Sequence, residues 1–300
     1  MRKLSLTAAT ICLVAQLTTA QIKLPSPSPG ASVMQTVGTT DLTVTYSRPS
    51  LKGRAPFTDA FVPTSKVWRT GANGATAFTT STDLMVNGKT LPAGTYAIMS
   101  IPEKSDWTLI FNKDKSVTEQ TYKHEEDALR VPLKSVTGGE KIETFTIGFS
   151  DVTDSTAKLN IMWADVKATA DLSVDVNANS AANVDKAVAE KPEDAAVLQA
   201  AANYNLSKGR NLDQALSWID KSIALKETFR NLSVKSQILA KMGKFTDAIP
   251  LAEKALTLGQ SSNDQSFTFF KDGIEKSLAE YKAKITTMPG IKSGKGKKKA

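Results

Sequence analysis

The chain has 300 residues, a net charge of +8, one histidine and one cysteine. A single histidine, His124, excludes a multi-histidine zinc centre and the paired-histidine metalloprotease helix, and a lone cysteine, Cys12, leaves no disulfide within the chain. The positive charge sits at the ends: without the cations of the first twenty residues and of the last dozen, 31 Lys and Arg face 30 acids, so the body is near neutral and lacks the basic face that nucleic acid requires.

Residues 1–20 read as a secretory leader. Arg2 and Lys3 give a charged start, Leu4 to Leu17 an apolar stretch, and Thr18-Thr19-Ala20 a small-residue cleavage site. Cleavage after Ala20 and export by the Sec route to the periplasm or beyond are expected, and Cys12 then leaves with the leader. The apolar stretch is shorter than the roughly 20 residues that cross a bilayer, and no later segment is longer, so no membrane span is expected. Residues 21–30, with Pro25, Pro27 and Pro29 alternating with serine, form an extended entry to the fold.

From 31 to 176 polarity alternates in short runs. Leu42, Val44 and Tyr46 mark one strand, and Tyr96 to Ile98, Trp107 to Phe111, Leu129 to Leu133, Phe145 to Phe149, Leu159 to Trp163 and Leu172 to Val176 mark others. Val86-Asn87-Gly88-Lys89 is a hairpin turn, because Asn and Gly both tolerate positive φ. Pro92-Ala93-Gly94, Pro102 to Asp106 and Gly138-Gly139 close further turns. Eight or nine short strands without interleaved helices predict an antiparallel β sandwich or barrel.

Residues 177–184 are rich in Ala, Asn and Ser and read as a linker. From 185 to 287 the apolar spacing becomes helical, with Pro192-Glu193-Asp194 opening a helix. Lys208-Gly209, Ala215-Leu216 and Ser222-Ile223 recur as Met242-Gly243, Ala248-Ile249 and Ala255-Leu256, a shift of 33 or 34 residues. That period resembles the tetratricopeptide repeat over about residues 195–260, which implies a protein-interaction role. Two repeats need a cover for their open face, and Phe267, Phe270, Ile274, Leu278 and Tyr281 fall at helical spacing to supply it. Residues 288–300 read as a disordered Lys/Gly tail, expected at most to make weak contact with an anionic surface.

Three stretches of the β region, Tyr46 to Arg54, Val67 to Asn73 and Leu91 to Tyr96, followed by Trp107 to Lys113 and Leu129-Arg130-Val131, resemble the secreted bacterial family called domain of unknown function 2911. The resemblance covers about residues 32–174 and implies export and domain limits rather than an activity. Gly74 stands where the family pattern has an acid.

The long segment from Pro49 to Ala75 interleaves cations with aromatics: Arg48, Lys52, Arg54, Lys66, Trp68, Arg69 and Asn73. Guanidinium groups bind carboxylate or phosphate bidentately and stack on indole, so Arg48, Arg54, Lys66, Trp68, Arg69 and Asn73 are the candidate site for an anionic or saccharide ligand. The competing reading, which the sequence favours, places Trp68 in the core with the arginines bracing the loop. His124 lies in a charged stretch and reads as solvated. Neither a Gly-x-Ser-x-Gly elbow nor a calcium loop is present, and no cofactor is expected. The leading expectation is a non-enzymatic envelope module that binds a ligand or another envelope protein, the latter through its helices. The alternatives are a hydrolase or lyase acting on a saccharide or another polar envelope component, and a purely structural envelope protein.

Overall fold

The computed structural model describes residues 24–287. The leader at 1–20, the start of the 21–30 entry segment and the tail at 288–300 lie outside the described residues. The chain divides between Val174 and Asp175 into two compact units.

The first unit is a nine-stranded antiparallel sheet in the order β1-β2-β3-β6-β7-β8-β9-β4-β5. Its strands are β1 (Gly30–Val37), β2 (Thr40–Ser47), β3 (Thr76–Thr80), β4 (Leu84–Val86), β5 (Lys89–Leu91), β6 (Gly94–Ile101), β7 (Asp106–Asn112), β8 (Asp127–Ser150) and β9 (Thr156–Ser173). Alternation decides which face is dry: Leu42, Val44 and Tyr46 of β2 are buried, whereas Asp41 and Thr45 are exposed. Phe78, Ile98, Leu109, Phe111 and Phe145 are fully buried in the core. At the Asn87-Gly88 turn both residues have positive φ, 46° and 76°, as a two-residue hairpin requires.

Two strands differ from the expectation of uniformly short ones. The runs 129–133 and 145–149 belong to one strand of 24 residues, β8, and the runs beginning at 159 and 172 to one of 18 residues, β9. The Gly138-Gly139 pair is not a chain reversal: the β8–β9 register slips between Thr137 and Ile142 and again before Thr146, so the glycines absorb irregularities within a continuous strand. The sequence reading also passed over β1 and β3, whose serines, threonines and small residues give weak contrast between faces.

The second unit is helical: α1 (Val176–Glu190), α2 (Ala195–Lys208), α3 (Leu212–Leu225), α4 (Phe229–Lys241), α5 (Phe245–Ser261) and α6 (Phe267–Thr287). The stretch 177–184 is therefore helix rather than linker. Asp175 caps it by accepting from the Ala178 N–H, and its alanines are strong helix formers. Pro192 and Glu193 lie just before α2, which Asp194 caps through the N–H groups of Ala196 and Val197.

α4 begins 34 positions after α2 (Ala195 to Phe229) and α5 begins 33 after α3 (Leu212 to Phe245), the period found in the sequence. Ala202 and Ala215 are fully buried in one cluster, and Ala248, Ala252 and Ala255 in a second, so close approach of paired helices is what the small residues provide. α6 covers the second cluster with Phe267, Ile274 and Tyr281. Phe270, expected among them, remains 46% exposed.

Candidate functional site

Trp68 enters the core as a one-residue bridge: its N–H and C=O pair with Ser100 at 2.8 Å in both directions. Its ring lies 11° from parallel to that of Trp163, centroids 6.1 Å apart, and meets Phe145 edge-on at 5.3 Å and Trp107 at 6.4 Å. Only 6% of Trp68 is exposed, so its face is covered by protein.

The arginines around it are bonded inward. Arg48 donates from Nε to the Phe145 carbonyl at 3.0 Å and from Nη2 to Thr146 Oγ1 at 2.7 Å. Arg54 donates from Nε to the Leu51 carbonyl and from Nη2 to the Ser50 carbonyl, each at 2.9 Å, while its guanidinium carbon lies 4.1 Å above the Phe61 ring. Arg69 donates from Nε to Glu119 Oε1 at 2.8 Å, from Nη2 to Glu119 Oε2 and from Nη1 to the Asn73 carbonyl. Asn73, at φ 60°, donates its amide to the Ser28 carbonyl and to Ser47 Oγ, each at 3.2 Å. Lys52 and Lys66 are exposed. The six candidate residues therefore surround one segment but do not converge on a common space. Arg48, Arg54 and Arg69 donate to backbone carbonyls, to the Thr146 hydroxyl and to Glu119, which is the bracing arrangement.

Glu119 is a residue the sequence reading missed. It sits fifty positions beyond Arg69 on a segment with no periodic signal, and only the fold joins the two. Burial works against its charge, but the Arg69 side chain, backbone N–H groups and the adjacent positive charge together hold its pKa below the ordinary value. The same hydrogen bond raises the Arg69 pKa.

A second cluster forms around Asp127, whose side chain is 4% exposed. Its Oδ2 accepts from the Tyr122 hydroxyl at 2.5 Å and its Oδ1 from Asn112 Nδ2 at 2.9 Å. Burial and this bond push the Tyr122 phenol above its ordinary pKa. His124 stands in a 3-10 turn (His124–Glu126) with its side chain 67% exposed, which fits a solvated ring. It also has partners that the sequence reading did not foresee: Nδ1 lies 2.9 Å from both Asp127 Oδ2 and Arg130 Nη1. One nitrogen serves one of these at a time: with a proton it donates to Asp127, and without one it accepts from Arg130. Among the described residues, no group of three or more His, Cys, Asp or Glu side chains is placed to hold a metal ion.

In the helical unit, the starts of α2 and α4 and the ends of α3 and α5 enclose an open cavity of about 430 Å³. Its lining mixes Phe229 and Leu258 with Lys226, Arg230, Asn231 and Asp264. Arg230 lies against a pair of rings, its guanidinium carbon 5.4 Å from the centroids of both Phe229 and Phe270, which are 5.8 Å from each other. Its Nη2 donates to Asp264 Oδ2 at 3.1 Å and to Ser266 Oγ, while its Nε is buried without a partner.

Among the described residues no helix is long and apolar enough to cross a membrane. Among curated proteins none matches the chain. Residues 28–172 match the family described as "Protein of unknown function (DUF2911)". They span all nine strands to within one residue of the end of β9, and the five sequence stretches that carry the resemblance, from Tyr46 to Val131, lie within them. The sheet unit of this chain is a DUF2911 domain, followed by a unit of six helices.

Proposed function

We propose that the protein is a non-enzymatic binding module of the cell envelope in which the sheet unit is scaffold and the helical unit holds the partner. The observation that carries this reading is the cavity at the ends of α2 to α5, where apolar side chains and charges of both signs line a concave space. The Arg/Trp segment has no comparable role in this reading, because Arg48, Arg54 and Arg69 each commit at least two guanidinium donors to partners within the sheet unit. Export rests on the leader-like residues 1–20 of the sequence.

The test is a thermal-shift series on the full chain with short peptides bearing a free carboxylate and with glucuronate as a sugar acid. A ligand that binds only the folded state raises the melting temperature by mass action. The expected result is stabilisation by the peptides that is lost in Arg230→Ala and kept in Arg48→Lys. A shift that survives Arg230→Ala, or no shift from any probe, overturns the reading.

The Asp127–His124 pair supports a second reading, a hydrolase or lyase acting on a polar envelope component. A nearly buried carboxylate that accepts the Nδ1 proton leaves Nε2 of an exposed ring as a base. Turnover of nitrophenyl esters or glycosides, abolished in both His124→Ala and Asp127→Asn, would select it; no turnover, or turnover that survives His124→Ala, discards it.

A further inference from the structure

The strand β1 is an end of the sheet, and among the described residues β2 is its only ladder partner. Edge strands are ordinarily guarded by a lysine, a proline, a bulge or shortness, since their free N–H and C=O groups template pairing with another chain. β1 has none of these guards. Its sequence, Gly-Ala-Ser-Val-Met-Gln-Thr-Val, holds no charge and no proline, and its eight residues pair one-to-one with β2 without a slip.

The hydrogen-bond parity of this edge follows from one contact. The Pro29 carbonyl accepts from the Arg48 N–H at 2.9 Å, just before the ladder that pairs Gly30 with Ser47. In an antiparallel ladder residues alternate in direction, so Ala31, Val33, Gln35 and Val37 turn their backbone groups to β2. Ser32, Met34 and Thr36 turn theirs to the open edge. The same three residues are exposed, Met34 to 63%.

We infer that β1 pairs antiparallel with β1 of a second copy of this chain about a twofold axis at Met34. This register sets Met34 opposite Met34 and Ser32 opposite Thr36 in both directions. Residues of equal parity then face each other, so outward side chains stay outward and every bond is made by a group that β2 leaves free. It also covers the one large apolar side chain exposed on the strand with its own copy. The absence of charge means that the self-pairing meets no repulsion, and a twofold interface needs only one patch complementary to itself. The one group to be displaced is the Gln35 side-chain amide, which donates to the Thr36 carbonyl at 2.9 Å.

The experiment is sedimentation of the full chain over a concentration series, beside Met34→Lys. The apparent mass should rise twofold between about 1 and 100 µM in the native chain and stay at the single-chain value in the variant, as mass action requires. Circular dichroism on Met34→Lys checks that this exposed substitution leaves the fold intact. Amide exchange gives the register: at high concentration the N–H groups of Ser32, Met34 and Thr36 should become protected, whereas those of Val33 and Gln35 are protected throughout. A chain that stays monomeric at 100 µM, including one whose edge accepts a strand only from a different protein, overturns the inference. So does a dimer that persists in Met34→Lys, or one that leaves those three amides exchanging freely.

Discussion

The Arg69 guanidinium takes both oxygens of the Glu119 carboxylate, binding the irregular segment before β3 to the one after β7. Both side chains are about three-quarters covered, 26% and 25% exposed, so the pair is shielded more than a surface ion pair. A third donor, the Arg69 backbone N–H, reaches Glu119 Oε1 at 3.1 Å.

This pair gives the sheet unit an acid-sensitive component. The folded-state pKa of Glu119 is depressed, so its stabilisation is whole above the unfolded value of about 4.3 and is lost as pH falls through the lower folded value. Glu119→Gln should cost about 1–3 kcal/mol at neutral pH and flatten the fall in melting temperature between about pH 5 and 3. Tryptophan fluorescence reports it, since Trp68, Trp107 and Trp163 all lie in the sheet unit. An unchanged pH profile would refute the assignment.

Trp68→Ala should cost about 3–5 kcal/mol, the range for truncating a large buried aromatic. Arg54→Ala, at an exposed residue, should cost about 1 kcal/mol or less. Denaturant melts of the two variants compare the core role of the indole with the bracing role of the cation. A tryptophan whose loss cost no more than the arginine's would belong to a binding surface instead.

Tyr46 pins β2 across the core. Its hydroxyl donates to the Ile147 carbonyl at 3.1 Å and accepts from the Ile147 N–H at 2.9 Å. Tyr46→Phe keeps the ring but strands two buried backbone groups, and the expected loss is about 1–3 kcal/mol by urea unfolding. Neutral behaviour would mean that water replaces the hydroxyl.

Gly259 of α5 has no room for a side chain: a Cβ there would stand 2.1 Å from the Phe267 ring. Gly259→Ala raises helix propensity but forces Phe267 away from Phe229, whose ring centroid is 5.1 Å distant. A net destabilisation of about 1–3 kcal/mol in the helical unit, read by far-ultraviolet circular dichroism, is expected. A stabilised variant would show that α6 docks loosely.

Where side-chain contrast was strong the sequence was sufficient. The alternation around Leu42, Val44 and Tyr46, the Asn87-Gly88 turn and the recurrence of Ala215-Leu216 as Ala248-Ile249 all correspond to elements at those places. Contrast failed in β1 and β3, and composition misled at 177–184, because alanine and asparagine suit a linker until an aspartate caps them into a helix. For the candidate site the residue types were legible but their partners were not. Arg69 needs Glu119 and His124 needs Asp127 and Arg130, and such contacts depend on how the chain returns rather than on local spacing. The same cation and indole would have looked identical in a ligand pocket.

The long β8 has a consequence for a chain exposed to proteases. Its first part, to Lys134, is laddered to β7, and the part from Lys134 onward is laddered to β9, with Gly138-Gly139 at the first slip of the β9 ladder. A cut at those glycines severs the peptide without releasing either piece, because the stump before them stays paired with β7 and, through Lys134 to Thr137, with β9, while the stump after them stays paired with β9. The nicked molecule should travel as one body on a native gel and fall into two bands only when boiled in detergent.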